Sequence, residues 1–111
     1  MPRTPRPIRS VHFSIDLDVT RAVVTVAGTL NTAAALATGE SIGLASPGRT
    51  TCVTVDLSDV RDLSPRAVHM LESEIATFRK GGLDVRVRAR AGSVAHGVLR
   101  VESTLLDRQA G

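Results

Sequence analysis

The sequence has no tryptophan and no tyrosine, and its two aromatic residues are Phe13 and Phe78. Aromatic platforms on which bases could stack are therefore missing. A core must be built from Val, Leu, Ile and Ala, which suits an α/β protein with buried strands. The single cysteine, Cys52, excludes an internal disulfide and a structural zinc site. It fits a reducing compartment. Lysine occurs once, at Lys80, so nearly all the positive charge is carried by arginine. No apolar run approaches the roughly 20 residues that span a bilayer. Arg3, Arg6 and Arg9 are not followed by an apolar stretch, so the N-terminus does not read as a secretory signal. A cytoplasmic protein with no membrane partner is expected.

What is present fits one domain. The chain has 111 residues, 42% of them hydrophobic, enough for one modest core. Residues 1–10 form a Pro/Arg-rich arm that cannot pack a core and is expected to be extended or disordered. The domain is expected over 11–106, with a short tail over 107–111.

Val11 to Leu17 alternates strictly, with Val11, Phe13, Ile15 and Leu17 on one side and His12, Ser14 and Asp16 on the other. That is the pattern of a half-buried strand. Arg21 to Gly28 is β-branched and follows after a short turn, which predicts a hairpin. Asn31 is a good N-cap for a first helix, although Gly39 and Gly43 each weaken a helix interior by about 1 kcal/mol. Thr50 to Leu57 reads as a third strand, and Ser58 to Asp62 as a polar loop. Ser64 followed by Pro65 is the strongest helix start in the chain, because the imino nitrogen falls where no N–H is needed. Ala67, Met70, Leu71, Ile75 and Phe78 then form one apolar stripe. Leu83 to Arg90 is a fourth strand. A last helix is expected from about Ser93, burying Val94, Val98, Val101 and Leu105.

The expected fold class is α/β: one mixed sheet of about four strands, helices mainly on one face, in the order β-β-α-β-α-β-α.

Candidate chemistry is sparse. Asp56, Asp59 and Asp62 offer three carboxylates near a strand end, but ordinary turn chemistry explains them with less than a Mg²⁺ site does. His12, His69 and His96 make no ligand pair of the H-E-x-x-H kind. There is no G-x-S-x-G elbow and no glycine-rich phosphate loop. No metal or cofactor is expected, and the chain does not read as an enzyme. Arg86, Arg88 and Arg90 form a comb on one sheet face. Cross-strand carboxylates such as Asp16 or Asp56 can neutralise it, so a nucleic-acid partner is not expected.

Two stretches carry a resemblance. The first is Val26-Ala-Gly-Thr-Leu-Asn31, and the second runs Val53-Thr-Val-Asp-Leu-Ser-Asp-Val60 and on to Leu71. Together with Gly82 to Val87 and Val94 to Leu99, they resemble the STAS domains of bacterial anti-sigma factor antagonists, over roughly residues 11 to 105. That resemblance implies a signalling domain that acts in transcription regulation by binding a partner protein. The partner would be an anti-sigma factor or a related histidine-kinase-like ATPase. In the family, the kinase phosphorylates a Ser or Thr at the start of the second helix, and the added charge breaks the complex.

The sequence departs from the family at that switch. The family's D-S-S-G falls on Ser64, Pro65, Arg66 and Ala67, so proline replaces the phosphoacceptor. Ser64 is the hydroxyl that remains available for phosphorylation, and capping competes for it. Asn31 replaces the acid of the first motif, whereas Asp56 is retained. The partner-binding surface is expected to comprise Asn31, Thr32, Ser58, Asp59, Asp62, Ser64, Arg66, His69 and Glu72. The alternative is a small-ligand sensing or scaffold module holding an anion or nucleotide near the second helix's N-terminus. A homodimer stays open.

Overall fold

The computed structural model describes residues 8–9, 12–45 and 52–102. Its elements are β1 (Ile8–Arg9), β2 (Phe13–Asp18), β3 (Val23–Leu30), α1 (Thr32–Ala45), β4 (Val53–Leu63), α2 (Pro65–Lys80), β5 (Val85–Arg88) and α3 (Val94–Glu102). The strands form one mixed sheet in which spatial order follows chain order. β1, β2 and β3 pair antiparallel; β3, β4 and β5 pair parallel. The chain carries one short strand more than expected, because Ile8 and Arg9 pair with Ile15 and Ser14. The remainder of the N-terminal arm, the tail and Leu105 lie outside the described residues.

Alternation sets the layers. Ile15, Val24, Val26, Val53, Val55, Val85 and Val87 are buried on one face of the sheet. α1 and α2 pack against each other and so share that face. On the opposite face the register aligns Asp16, Thr25, Asp56 and Arg88 in a row across four strands. This is the division expected of a sheet with one covered and one solvated face.

β4 departs from the expected strand and loop. Ser58 to Asp62 is not a loop; the strand runs on to Leu63. Two register shifts against β3, between Thr25 and Ala27 and between Gly28 and Thr29, insert extra residues into β4. Each shift breaks the period-two pattern, so Leu57 and Val60 are both buried although three positions separate them. Gly28 sits at φ +92° beside this irregular pairing, and a Cβ there would stand 2.5 Å from the carbonyl oxygen of His12. Only glycine fits that conformation without strain.

The helices follow their local signals. The Asn31 Oδ1 accepts the amide of Ala34 at 2.8 Å, which caps α1. The buried hydroxyls of Thr38 and Ser41 donate to the carbonyls of Ala34 and Ala37, so neither is left unsatisfied. Gly39 and Gly43 form the side of α1 that meets α2: Glu74 lies over Gly39 and Phe78 over Gly43. Ser64 caps α2 through Ala67 N at 3.1 Å, with Pro65 as its first residue. In α2, Ala67, Leu71 and Ile75 are buried, with Met70 and Phe78 packed beside them. The Arg79 guanidinium donates through Nε and Nη2 to the Val85 carbonyl at 3.0 and 2.6 Å, tying α2 to the edge strand.

The buried stripe of α3 lies one residue off the expected one. Ala95 and Leu99 are fully buried, whereas Val94 is 49% exposed and Val98 half-buried. The Ser93 hydroxyl accepts His96 N, and Arg90 N donates to the Ser58 hydroxyl. These bonds fix where the helix starts and therefore which face it turns towards β4. β5 pairs only with Val53 to Asp56, and α3 packs against β4. Among the described residues no helix is long and apolar enough to cross a membrane.

Candidate functional site

The site is organised by the parallel pairing of β3 and β4. Leu30 lies opposite Leu63 at the carboxyl ends of the two strands. Ser64 N donates to Leu30 O across 3.4 Å. Asn31 and Ser64 each stand one residue past their strand and each caps the helix that follows. The starts of α1 and α2 are thereby set side by side, at the end of the sheet where α/β folds favour ligands.

This arrangement brings together Asn31, Thr32, Asp62, Ser64 and Arg66. Asp62 lies opposite Thr29 and is exposed, as are Ser64 and Arg66. His69 sits one turn further along α2 with its side chain 82% exposed, and its Nδ1 is 3.4 Å from Glu72 Oε1. His69 and Glu72 thus extend the same surface along α2.

Ser58 and Asp59 belong elsewhere. Asp59 pairs with Ala27, further down the strand. The two residues line an open depression of about 550 Å³ between β4 and the start of α3, with Arg61, Arg90 and Ser93. Arg61, Arg90 and Ser93 were not among the expected site residues. The arginine comb already contained Arg90, but only the bulged strand reveals that Arg61 shares its surroundings.

The three aspartates of β4 do not form one cluster. Asp56, Asp59 and Asp62 pair with Thr25, Ala27 and Thr29 in turn, so they are strung along an extended strand. At about 3.3 Å per residue they cannot converge on one ion. No group of three or more potential ligands occurs among the described residues. Burial raises the Asp56 carboxyl, but hydrogen bonds from Ser58 and the Arg88 guanidinium outweigh it and hold the group below its ordinary range. Arg88 Nη2 lies 3.0 Å from Asp56 Oδ2, Arg90 lies 3.9 Å from Asp59, and Arg86 lies 3.5 Å from Asp84. Each arginine of the comb therefore lies beside a carboxylate, across the strands for Arg88 and Arg90 and along the chain for Arg86, which lowers its attraction for phosphates.

Cys52 is exposed at the start of β4. Partial burial, followed by a hydrogen bond and the charge of Asp84, raises its thiol against the opposing influence of Arg86. This is the opposite of what a reactive thiolate requires.

The two helix caps are also chemically committed. The amides of Ala34 and Ala67 are taken by Asn31 and Ser64. What remains outward is a surface of mixed charge, with Asp62, Arg66 and His69 prominent. No family model matches the chain, and no curated protein matches it.

Proposed function

We propose that this domain is a STAS-like regulatory protein that binds a protein partner, such as an anti-sigma factor kinase, through the paired starts of α1 and α2. The observation that carries this reading is the juxtaposition of Asn31 and Ser64 across the Leu30 and Leu63 pair. Two helix starts held by one sheet give a shared platform, half-buried at Asn31 and Thr32 and exposed at Asp62, Ser64, Arg66 and His69. Its charges of both signs suit orientation of a protein partner more than capture of a single anion. The surface comprises Asn31, Thr32, Asp62, Ser64, Arg66, His69 and Glu72. Ser58 and Asp59 contribute less directly, because they face the start of α3.

In this reading the phosphorylation switch is lost or altered. Pro65 has no hydroxyl, and the Ser64 oxygen is engaged with Ala67 N. Binding, not catalysis, is the proposed mode of action. The test is to mix the protein with an anti-sigma factor kinase and ATP, measuring complex formation and intact mass. Complex formation without added phosphate is expected, and Arg66→Glu with Asp62→Lys should abolish it. Phosphate on Ser64 would overturn the loss of the switch. Unchanged binding by the double variant would overturn the surface.

A further inference from the structure

The two helices on the covered face of the sheet differ in what they show to solvent. α2 exposes Pro65, Arg66, His69, Ser73, Ala76, Thr77, Arg79 and Lys80, a mainly polar face with no large apolar side chain. α1 exposes Ala33, Leu36, Glu40 and Leu44. Leu36 is 48% and Leu44 56% exposed, and Glu40 is the sole charged residue of the helix. Leu36 and Leu44 are the two large apolar side chains that the paired helices turn to solvent.

The row is ordered. Thr32, Leu36, Glu40 and Leu44 follow one another at four-residue spacing, on one side of the helix. Leu36 and Leu44 are about 12 Å apart along the axis, with the Glu40 carboxylate midway. A second carboxylate flanks the row, because Glu74 from α2 lies over Gly39. Neither Glu40 nor Glu74 forms an ion pair among the described residues. The face is thus apolar with an acidic centre and rim, on a chain whose net charge is +3.

That charge pattern selects the occupant. A second copy docking α1 on α1 about a twofold centred on the row sets Glu40 against Glu40, whether the helices run parallel or antiparallel. Like charges in that position oppose association. A helix with an arginine or lysine between two apolar residues meets the row with both components satisfied. We infer that the Leu36–Glu40–Leu44 face of α1 is the docking site for a basic amphipathic helix of the partner protein. This deepens the proposed function and rests on it, since Thr32 joins the row to the surface at the helix starts.

The test uses two short synthetic helical peptides with Leu four residues either side of a central Arg or a central Glu. Each is titrated into the full-length ¹⁵N-labelled protein. The Arg peptide should shift the amide signals of Ala33, Leu36, Ala37, Glu40 and Leu44. It should bind at least about tenfold more tightly than the Glu peptide, as one close charge pair allows. Leu36→Ser with Leu44→Ser should lose binding while keeping the circular dichroism of the parent. Glu40→Arg should reverse the preference between the peptides, a gain that misfolding cannot mimic. Equal affinity for both peptides, or shifts confined to Ser64 to His69, would overturn the inference. So would a concentration-dependent dimer that the Leu36→Ser, Leu44→Ser variant abolishes. Arg66→Glu should leave peptide binding intact, which separates failure of this face from failure of the surface at the helix starts.

Discussion

Ser64 donates its amide to the carbonyl of Leu30, and its hydroxyl then accepts from Ala67. One residue thus closes the β3–β4 pair and opens α2. Ser64→Ala keeps the first bond and removes the second. It should cost about 1 kcal/mol, and Ser64→Gly only a few tenths. Asn31→Ala should cost a similar amount by freeing Ala34 N. Thermal unfolding checks this, since 1 kcal/mol moves the midpoint of a domain of this size by about 4–8 °C.

Gly28→Ala should be far more damaging than its chemistry suggests. The residue is held at φ +92°, and the new Cβ would stand 2.5 Å from His12 O. Backbone strain of about 1–3 kcal/mol is expected, plus the displacement of the β2–β3 pairing. Urea unfolding should show a lower midpoint. Exchange of the Thr29 amide, which donates to His12 O at 2.8 Å, should accelerate most.

How much of this could be read from the residues varies with how local the signal is. The caps at Asn31 and Ser64 were legible because capping needs only a side chain and an amide three residues away. The stripe of α2 was legible for the same reason. β4 beyond Leu57 was not. Its bulges exist only relative to β3, and in the sequence they look like a polar loop. Gly39 and Gly43 argued against a helix on propensity alone, yet they are where Glu74 and Phe78 of α2 come close. The grouping of Asp62 with Asn31 was expected from the family resemblance and not from any local pattern, because register is a property of two strands and not of either one.

The paired Asp56 carboxylate should leave a signature in acid. Its folded-state pKa lies below its unfolded value. The stability it supplies is therefore fully present above the unfolded value, about pH 4, and is lost as pH falls through the folded one. Asp56→Asn should be less stable than the parent at neutral pH. The gap should close as acid unfolding is followed downward from about pH 4.

Arg79→Ala should loosen the edge of the sheet. It removes both donors to Val85 O, at a cost of about 1–2 kcal/mol. Arg79→Lys should restore only part, because an ammonium lacks the planar fork. Hydrogen exchange over Val85 to Arg88 should rise in both variants, more in the first.

Cys52 should alkylate slowly for an exposed thiol. Its pKa is raised, so little thiolate is present at neutral pH. Asp84→Asn should speed reaction with iodoacetamide, and Arg86→Ala should slow it. The rates can be followed by mass spectrometry at fixed pH.

The sheet's order has a consequence for how the chain acquires its shape. Strands that neighbour one another in space are consecutive in the chain. Each emerging strand therefore finds its first partner already synthesised, while β4 still waits for β5 on its other edge and for α3. The parallel pairings are nonetheless long-range, because a helix separates β3 from β4 and β4 from β5, and closing those spans is the slow part of folding. The β2–β3 hairpin can act as the template, α1 and β4 add the next unit, α2 and β5 the one after, and α3 closes onto β4 last. On a ribosome that growth can proceed in step with synthesis. β4 has the most to arrange, because its bulged half must find its offset on β3.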